Sequence, residues 1–219
     1  MTYQVAETFR SVQGEGVHTG TLMQFVRFVG CSVGKTICTH CDTDFKSMYT
    51  WKGGGEFSPE GIADMCKGVH DVCLTGGEPF NQELVELLPW LGHLNVHIET
   101  SGTVPFDFTP VRNMPGYRTV GDSDQKLWIT CSPKPGYFLD VVSDADEIKV
   151  IVPGLGDGPG WPTLDDALRW AGKGKIVYLQ PRNGKNDVNI ENLQLVLQLV
   201  QENPELRLSP QLHKFIKVR

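Results

Sequence analysis

Four absences frame the sequence. No apolar run approaches the ~18 residues of a membrane-crossing helix, so no membrane association is expected. Met1 to Arg10 hold no basic stretch followed by an apolar one, so no export leader is expected and the cytoplasm is the expected compartment. Basic charge is not in excess: 20 Lys and Arg stand against 26 Asp and Glu, for a formal charge of -6, which speaks against nucleic acid as a direct partner. No repeat, coiled-coil heptad or low-complexity tail occurs. What is present is a globular composition, 40% hydrophobic and 21% charged, which excludes disorder. The 219 residues suit one domain spanning 1–219.

Apolar alternation places strands at Leu22 to Phe28, Val72 to Thr75, Asn95 to Glu99, Leu127 to Cys131, Glu147 to Val152, Lys175 to Leu179 and Leu206 to Leu208. Helical spacing places helices between them. Ser58-Pro59 opens one over 59–68, Leu84, Leu87, Leu88 and Leu91 stripe a second, and Thr163 caps a third that Gly172 stops. Ile190, Leu193, Leu197 and Val200 mark the last. The stretch 104–126, with prolines at 105, 110 and 115, reads as irregular. Strands and helices alternate throughout, the pattern of a mostly parallel α/β sheet or barrel. A complete eight-unit barrel typically needs about 250 residues, so an incomplete (partial) TIM-type βα barrel is the expected fold.

Polar clusters recur where these strands stop: Thr75-Gly76-Gly77-Glu78, Glu99-Thr100-Ser101, Ser132-Pro133-Lys134 and Gln180, beside a cysteine-rich loop after Gly30. In a parallel βα array the strand C-termini share one face, so these clusters are expected to form one site.

Without an export leader, six cysteines favour a metal or redox site over disulfides. Cys38 and Cys41, two residues apart, can grip one metal centre from a tight loop, and Cys31 can close it. Three thiolates suit zinc with a fourth ligand, or a cubane iron–sulfur cluster with one iron left open. His40 fits awkwardly as the fourth zinc ligand, squeezed into the Cys38–Cys41 turn. Cys66 and Cys73 sit in apolar surroundings and read as buried structural thiols; Cys131, at a strand end, is ambiguous by position and is read with them. An open iron could be chelated by S-adenosylmethionine, whose cleavage supplies a deoxyadenosyl radical. The Gly76-Gly77 turn would let backbone approach the amino-acid part, and Glu78 could accept from its ammonium group.

Cys38-Thr39-His40-Cys41 followed by Thr75-Gly76-Gly77-Glu78-Pro79 resembles the radical S-adenosylmethionine superfamily. More specifically, the chain resembles the 7-carboxy-7-deazaguanine synthase (QueE) family. The matching pieces are Phe9 with Val12-Gln13-Gly14-Glu15-Gly16, Arg27 to Cys31, Cys41-Asp42-Thr43, Ile98 to Gly102, Ser132-Pro133-Lys134, Glu147-Ile148-Lys149, Leu179-Gln180-Pro181, and Leu206 to Ser209 with Gln211, His213 and Lys214. They span nearly the whole chain. The resemblance implies a lyase for radical ring contraction of 6-carboxy-5,6,7,8-tetrahydropterin to 7-carboxy-7-deazaguanine, with loss of ammonia.

It also implies a 4Fe-4S cluster on Cys31, Cys38 and Cys41, magnesium at Thr43, and S-adenosyl-L-methionine against His40, Cys41, Asp42, Gly77, Glu78, Ser132, Pro133, Lys134, Gln180, Pro181, Arg182 and Asn183. Substrate contacts are expected from Val12, Gln13, Gly14, Glu15, Arg27, Thr75 and the terminal carboxylate at Arg219, with Glu99 and His213 in support. Arg27 shares a strand face with apolar Phe25 and Val29, so it reads as a charge that would be costly there without an anionic ligand. The implied partners are a reductant such as a flavodoxin or ferredoxin and a second copy of the chain. Two features depart from the family pattern: six residues rather than three separate the first two cysteines, and the last residue is arginine rather than a small or apolar one. Two rivals remain open, a different radical S-adenosylmethionine protein and a zinc-stabilised binding module.

Overall fold

The computed structural model describes residues 1–34, 37–38, 41, 53–114, 127–153 and 158–218. Among these, β1 (Tyr3–Val12), β2 (Leu22–Phe28) and β3 (Gly55–Phe57) precede β4 (Asp71–Gly76), β5 (Asn95–Thr100), β6 (Leu127–Cys131), β7 (Glu147–Val152), β8 (Ile176–Pro181) and β9 (Arg207–Leu208). They form one sheet in the order β3-β1-β2-β4-β5-β6-β7-β8-β9. The β1–β2 and β1–β3 pairs are antiparallel, and every pair from β2–β4 to β8–β9 is parallel. The sheet does not close, as an incomplete barrel requires.

Alternation along each strand separates two faces. Val26, Leu74, Ile98, Ile129, Val150 and Leu179 point outward into the main core under the helices. Each such side chain, fully buried, stabilises the fold by roughly 1.5–3 kcal/mol. The inner face carries Phe25, Arg27, Cys73, Thr75, Glu99, Lys149 and Gln180, mostly polar and set in register by the parallel ladders. Its only apolar nucleus among the described residues is Met23, Phe25 and Cys73 with Phe9 against them.

The helices are short. α1 (Pro59–Met65) starts where Ser58 accepts from the Gly61 N–H at 3.1 Å, as expected, but ends three residues early. Gly68 beyond it is left-handed, at φ 81. The Leu84–Leu91 stripe forms a 3-10 turn (Leu84–Glu86) and then the single turn α2 (Leu88–Leu91) rather than one helix. Pro89 has no N–H to continue a preceding turn, so the helix restarts there, and all four leucines are buried. α3 (Thr109–Arg112) lies in the stretch expected to be irregular, and residues 115–126 lie outside the described ones.

α4 (Leu139–Asp144) and α7 (Leu212–Ile216) were not signalled by periodicity. α5 (Leu164–Gly172) opens on a full capping box between Thr163 and Asp166. Gly172 is its last residue, and the left-handed glycine that follows the helix is Gly174, at φ 84. α6 (Ile190–Glu202) is capped by Asn189.

Candidate active site

A cavity of about 450 Å³ opens over the strand C-termini. Of the expected site residues, Val12, Gln13, Gly14, Glu15, Arg27, Cys38, Cys41, Thr75, Glu99, Ser132, Gln180, Pro181, Arg182, Asn183 and His213 line it. Parallel register explains the gathering: Arg27 is level with Thr75, Glu99 with Thr130, and Ile151 with Gln180. His40, Asp42, Thr43 and Arg219 lie outside the described residues.

The 13–21 loop joins β1 to the N-terminal end of β2, so it underlies the cavity from the end of the sheet opposite the strand C-termini, and it is fastened at several points. Gln13 N–H donates to Thr21 O at 2.8 Å, Val17 N–H to the buried Glu147 carboxylate at 2.9 Å, Gly16 N–H to Ser209 Oγ at 3.2 Å, and Leu212 N–H to Gly14 O at 2.7 Å. A Cβ on Gly14 would stand 2.0 Å from His213 Nδ1, so only glycine lets α7 seat there.

The floor is a hydrogen-bonded cluster. Lys149 Nζ donates to Glu15 Oε2 and, at 3.5 Å, to Glu99 Oε1. Glu15 Oε1 also accepts from Gln211 Nε2 at 2.7 Å and Gln180 Nε2 at 3.3 Å, while Glu99 accepts from Gln13 Nε2 and Thr75 Oγ1, both at 3.1 Å. Burial would raise the Glu15 carboxyl, but the Lys149 charge and these hydrogen bonds outweigh it and hold it down to about 2. Burial works against the Lys149 charge too, yet the surrounding carboxylates raise it above its ordinary value. Phe9 and Phe25 stack at 5.1 Å on the wall.

The structure revises several readings. Arg27 is not an uncompensated charge: its Nε lies 3.0 Å from Glu7 Oε1 across the β1–β2 pair, and its guanidinium lies 5.5 Å from the Phe9 ring centre. Glu78 is fully buried and its carboxylate is committed. It accepts from Phe80 N–H, Thr100 Oγ1 at 2.8 Å, and both the N–H and the Oγ of Ser101, which fills the capacity of a carboxylate and leaves none for an ammonium group. At Gly77 a Cβ would lie 1.6 Å from the Gly30 carbonyl, beside Cys31, so the packing of this turn itself requires glycine. Neither Glu78, Gly77, Cys31, Pro133 nor Lys134 lines the cavity. Lys134 Nζ instead donates to Ser132 O at 2.8 Å and Ser132 Oγ at 2.7 Å, and burial lowers its pKa. Lys149 and Gln211 were given no role by sequence reasoning. The β7 pattern, with Glu147 and Lys149 on the face opposite Ile148 and Val150, was the available signal.

Burial sorts the thiols as expected. Cys66, Cys73 and Cys131 are buried, while Cys31, Cys38 and Cys41 are half-buried in the loop after β2. Burial pushes Cys66 and Cys131 up to about 12, which keeps them unreactive thiols. Cys41 N–H donates to Cys38 O at 3.2 Å, a tight turn that puts both at the cavity. Among the described residues, no three His, Cys, Asp or Glu side chains converge at metal-holding distance. The donor set fits a cluster in kind: three half-buried cysteines follow β2, and two of them line the cavity.

An open parallel βα sheet with a polar cavity over its strand ends, rimmed by a cysteine loop, is the architecture of a partial-barrel enzyme. No family model matches the chain. The chain is 32% identical to a 7-carboxy-7-deazaguanine synthase of Bacteroides thetaiotaomicron and 33% identical to one of Bordetella pertussis, each covering 100% of both chains. In fold it is similar to QueE from Escherichia coli, with a TM-score of 0.65 and 24% identity over 95% of this chain and 93% of that one. The chain belongs to the 7-carboxy-7-deazaguanine synthase family.

Proposed function

We propose that the cavity takes 6-carboxy-5,6,7,8-tetrahydropterin and that the enzyme, a radical S-adenosylmethionine lyase, contracts its ring to 7-carboxy-7-deazaguanine with loss of ammonia, in deazapurine (queuosine-type) biosynthesis. The observation that carries the reading is the charge layout of one cavity: the Arg27 guanidinium on one wall, the Glu15 and Glu99 carboxylates on the floor, and the Cys38 and Cys41 thiols at the rim.

Arg27 meets the substrate carboxylate. Glu7 and Phe9 fix its guanidinium from behind, so the anion finds a donor already in place. Glu99, Thr75 and Gln13 form one hydrogen-bonded edge suited to the donor-rich side of the pterin. The Phe9–Phe25 stack supplies an apolar wall and helps keep water from the reacting ring. Cys31, Cys38 and Cys41 would hold a 4Fe-4S cluster, with S-adenosyl-L-methionine toward Ser132, Gln180 and Arg182 and magnesium at Thr43. When bound, the cluster would supply the electron that cleaves S-adenosyl-L-methionine, and magnesium would bind substrate oxygens. The protein's part is to bind, orient and exclude water. A flavodoxin or ferredoxin as reductant, a homodimer and a cytoplasmic location complete the proposal.

The test is anaerobic reconstitution with iron and sulfide, then incubation with S-adenosylmethionine, reductant, magnesium and the carboxy-pterin. A deazaguanine product is expected. A cluster-replete sample that makes none overturns the reading.

A further inference from the structure

Lys149 lies on the inner face of β7 with its side chain 5% exposed, and it lines the cavity. A buried ammonium is costly unless it is paired and hydrogen-bonded. Here it joins two carboxylates from distant parts of the chain. Glu15 comes from the loop after β1 and Glu99 from the end of β5. Both carboxylates face the same cavity, and each is held by further donors: Gln211 and Gln180 on Glu15, Gln13 and Thr75 on Glu99. Two carboxylates so placed repel each other in a low-dielectric site unless a cation sits between them.

We propose that Lys149 is a positioning residue for substrate: its ammonium holds Glu15 and Glu99 side by side as carboxylates, and through them it fixes the donor-rich edge of the pterin. The inference rests on the functional reading above. It adds a group that acts through its neighbours, with Glu15 and Glu99 as the atoms in contact. The floor then carries two negative charges and one positive, a net of one negative charge facing the cavity.

The charged surroundings of Lys149 are defined. Glu147 on its own strand adds to the pull on the ammonium, and Lys134 beyond β6 opposes it. Cys73 on β4 feels both Lys149 and Glu99 but stays a thiol, because burial raises its pKa well above the ordinary value. His213 lies near Glu15 and Arg27 near Cys73. Of these groups, Lys149 is the cation that hydrogen-bonds both carboxylates.

Loss of the cation leaves Glu15 buried without its main charge partner, so its pKa rises from about 2 to above the ordinary carboxylate value. The test uses reconstituted enzyme with K149M, K149Q and K149R. K149Q keeps a donor toward Glu15 and covers the case in which K149M does not fold. In K149M or K149Q the KM for the pterin rises about tenfold or more, kcat falls less, and the acid limb of kcat/KM moves up by about two pH units or more. Equilibrium binding of the pterin without reductant weakens in step. K149R keeps the charge and leaves the limb in place.

A readout without substrate comes from melting temperature against pH. Glu15 in the unsubstituted protein, with its pKa depressed, contributes stability that is present above about pH 4.5 and lost as pH falls toward about 2. In K149Q the folded-state pKa is raised, so the sign reverses: K149Q gains stability relative to the parent on acidification from about pH 7 to 5. A difference between K149Q and parent that is flat in pH, an unmoved acid limb, or a K149R that behaves like K149Q overturns the proposal. Failure of the functional reading shows separately, as an unsubstituted enzyme that neither binds nor converts the pterin.

Discussion

Arg27 illustrates what a charge on an inner sheet face requires. Its sequence neighbours suggested that only a ligand could compensate it, but the compensation comes from Glu7, twenty residues earlier and directly across the hairpin. Glu7 sits in a stretch with no clean alternation, so its partner was not legible. R27Q removes a charge-assisted contact to the substrate carboxylate and should raise KM about tenfold to a hundredfold. Steady-state kinetics with the carboxy-pterin checks this, and cofactor cleavage without substrate should be kept. The thiols divide as plainly. C38A and C41A should each abolish turnover and lower the iron bound per chain, whereas C66A, a buried thiol on the outer side, should leave both largely intact. Iron analysis beside activity assays decides it, and an inactive but folded C66A protein would contradict the sorting.

Strands were more legible than helices, for a physical reason. β2, β6 and β7 match their sequence-predicted bounds because each is a short run rich in apolar, β-branched or aromatic residues, and in β7 polar Glu147 and Lys149 alternate with Ile148, Val150 and Val152. β1, the longest strand, went unread. Its register shifts between Val5 and Glu7, so Val5 and Ala6 are both buried and the period of two is broken. The leucine stripe failed for a different cause, the proline inside it. Caps were the reliable helix signals. Thr163 both accepts from Asp166 N–H at 3.1 Å and is met by the Asp166 carboxylate, so T163A should destabilise the protein by about 1 kcal/mol. Urea unfolding with an unchanged slope is the measurement.

At the scale of the molecule, the site was legible to the extent that a parallel sheet gathers strand C-termini: Thr75, Glu99, Ser132 and Gln180, from the polar clusters of β4, β5, β6 and β8, line one cavity, while Gly77, Glu78, Pro133 and Lys134 do not. The misread residues belong to contacts between distant segments. Glu78 was aimed at a cofactor because sequence does not show that Thr100 and Ser101 arrive to occupy it, and Lys149 was passed over because Glu15 and Glu99 lie far from it along the chain. The far end of the inner face holds a half-buried titratable group. His18 packs edge-on against His97 at 4.4 Å and Trp128 at 4.8 Å, and burial with the nearby His97 lowers its pKa to about 4. A histidine depressed in the folded state contributes stability that is present above its unfolded pKa and lost as pH falls through the folded one. Melting temperature should therefore drop between about pH 6.5 and 4, and H18F should flatten that slope.

The fastening of the 13–21 loop has a kinetic consequence. Its anchors lie 130 residues away at Glu147, 193 at Ser209 and 196 at Gln211. Contacts of such separation form only after the intervening chain has been ordered, because closing a long loop costs entropy before any contact rewards it. The hairpin made first is thus completed last: a growing chain has its outer core in place before its substrate cavity exists, and amide protection in the loop should appear together with that of α7.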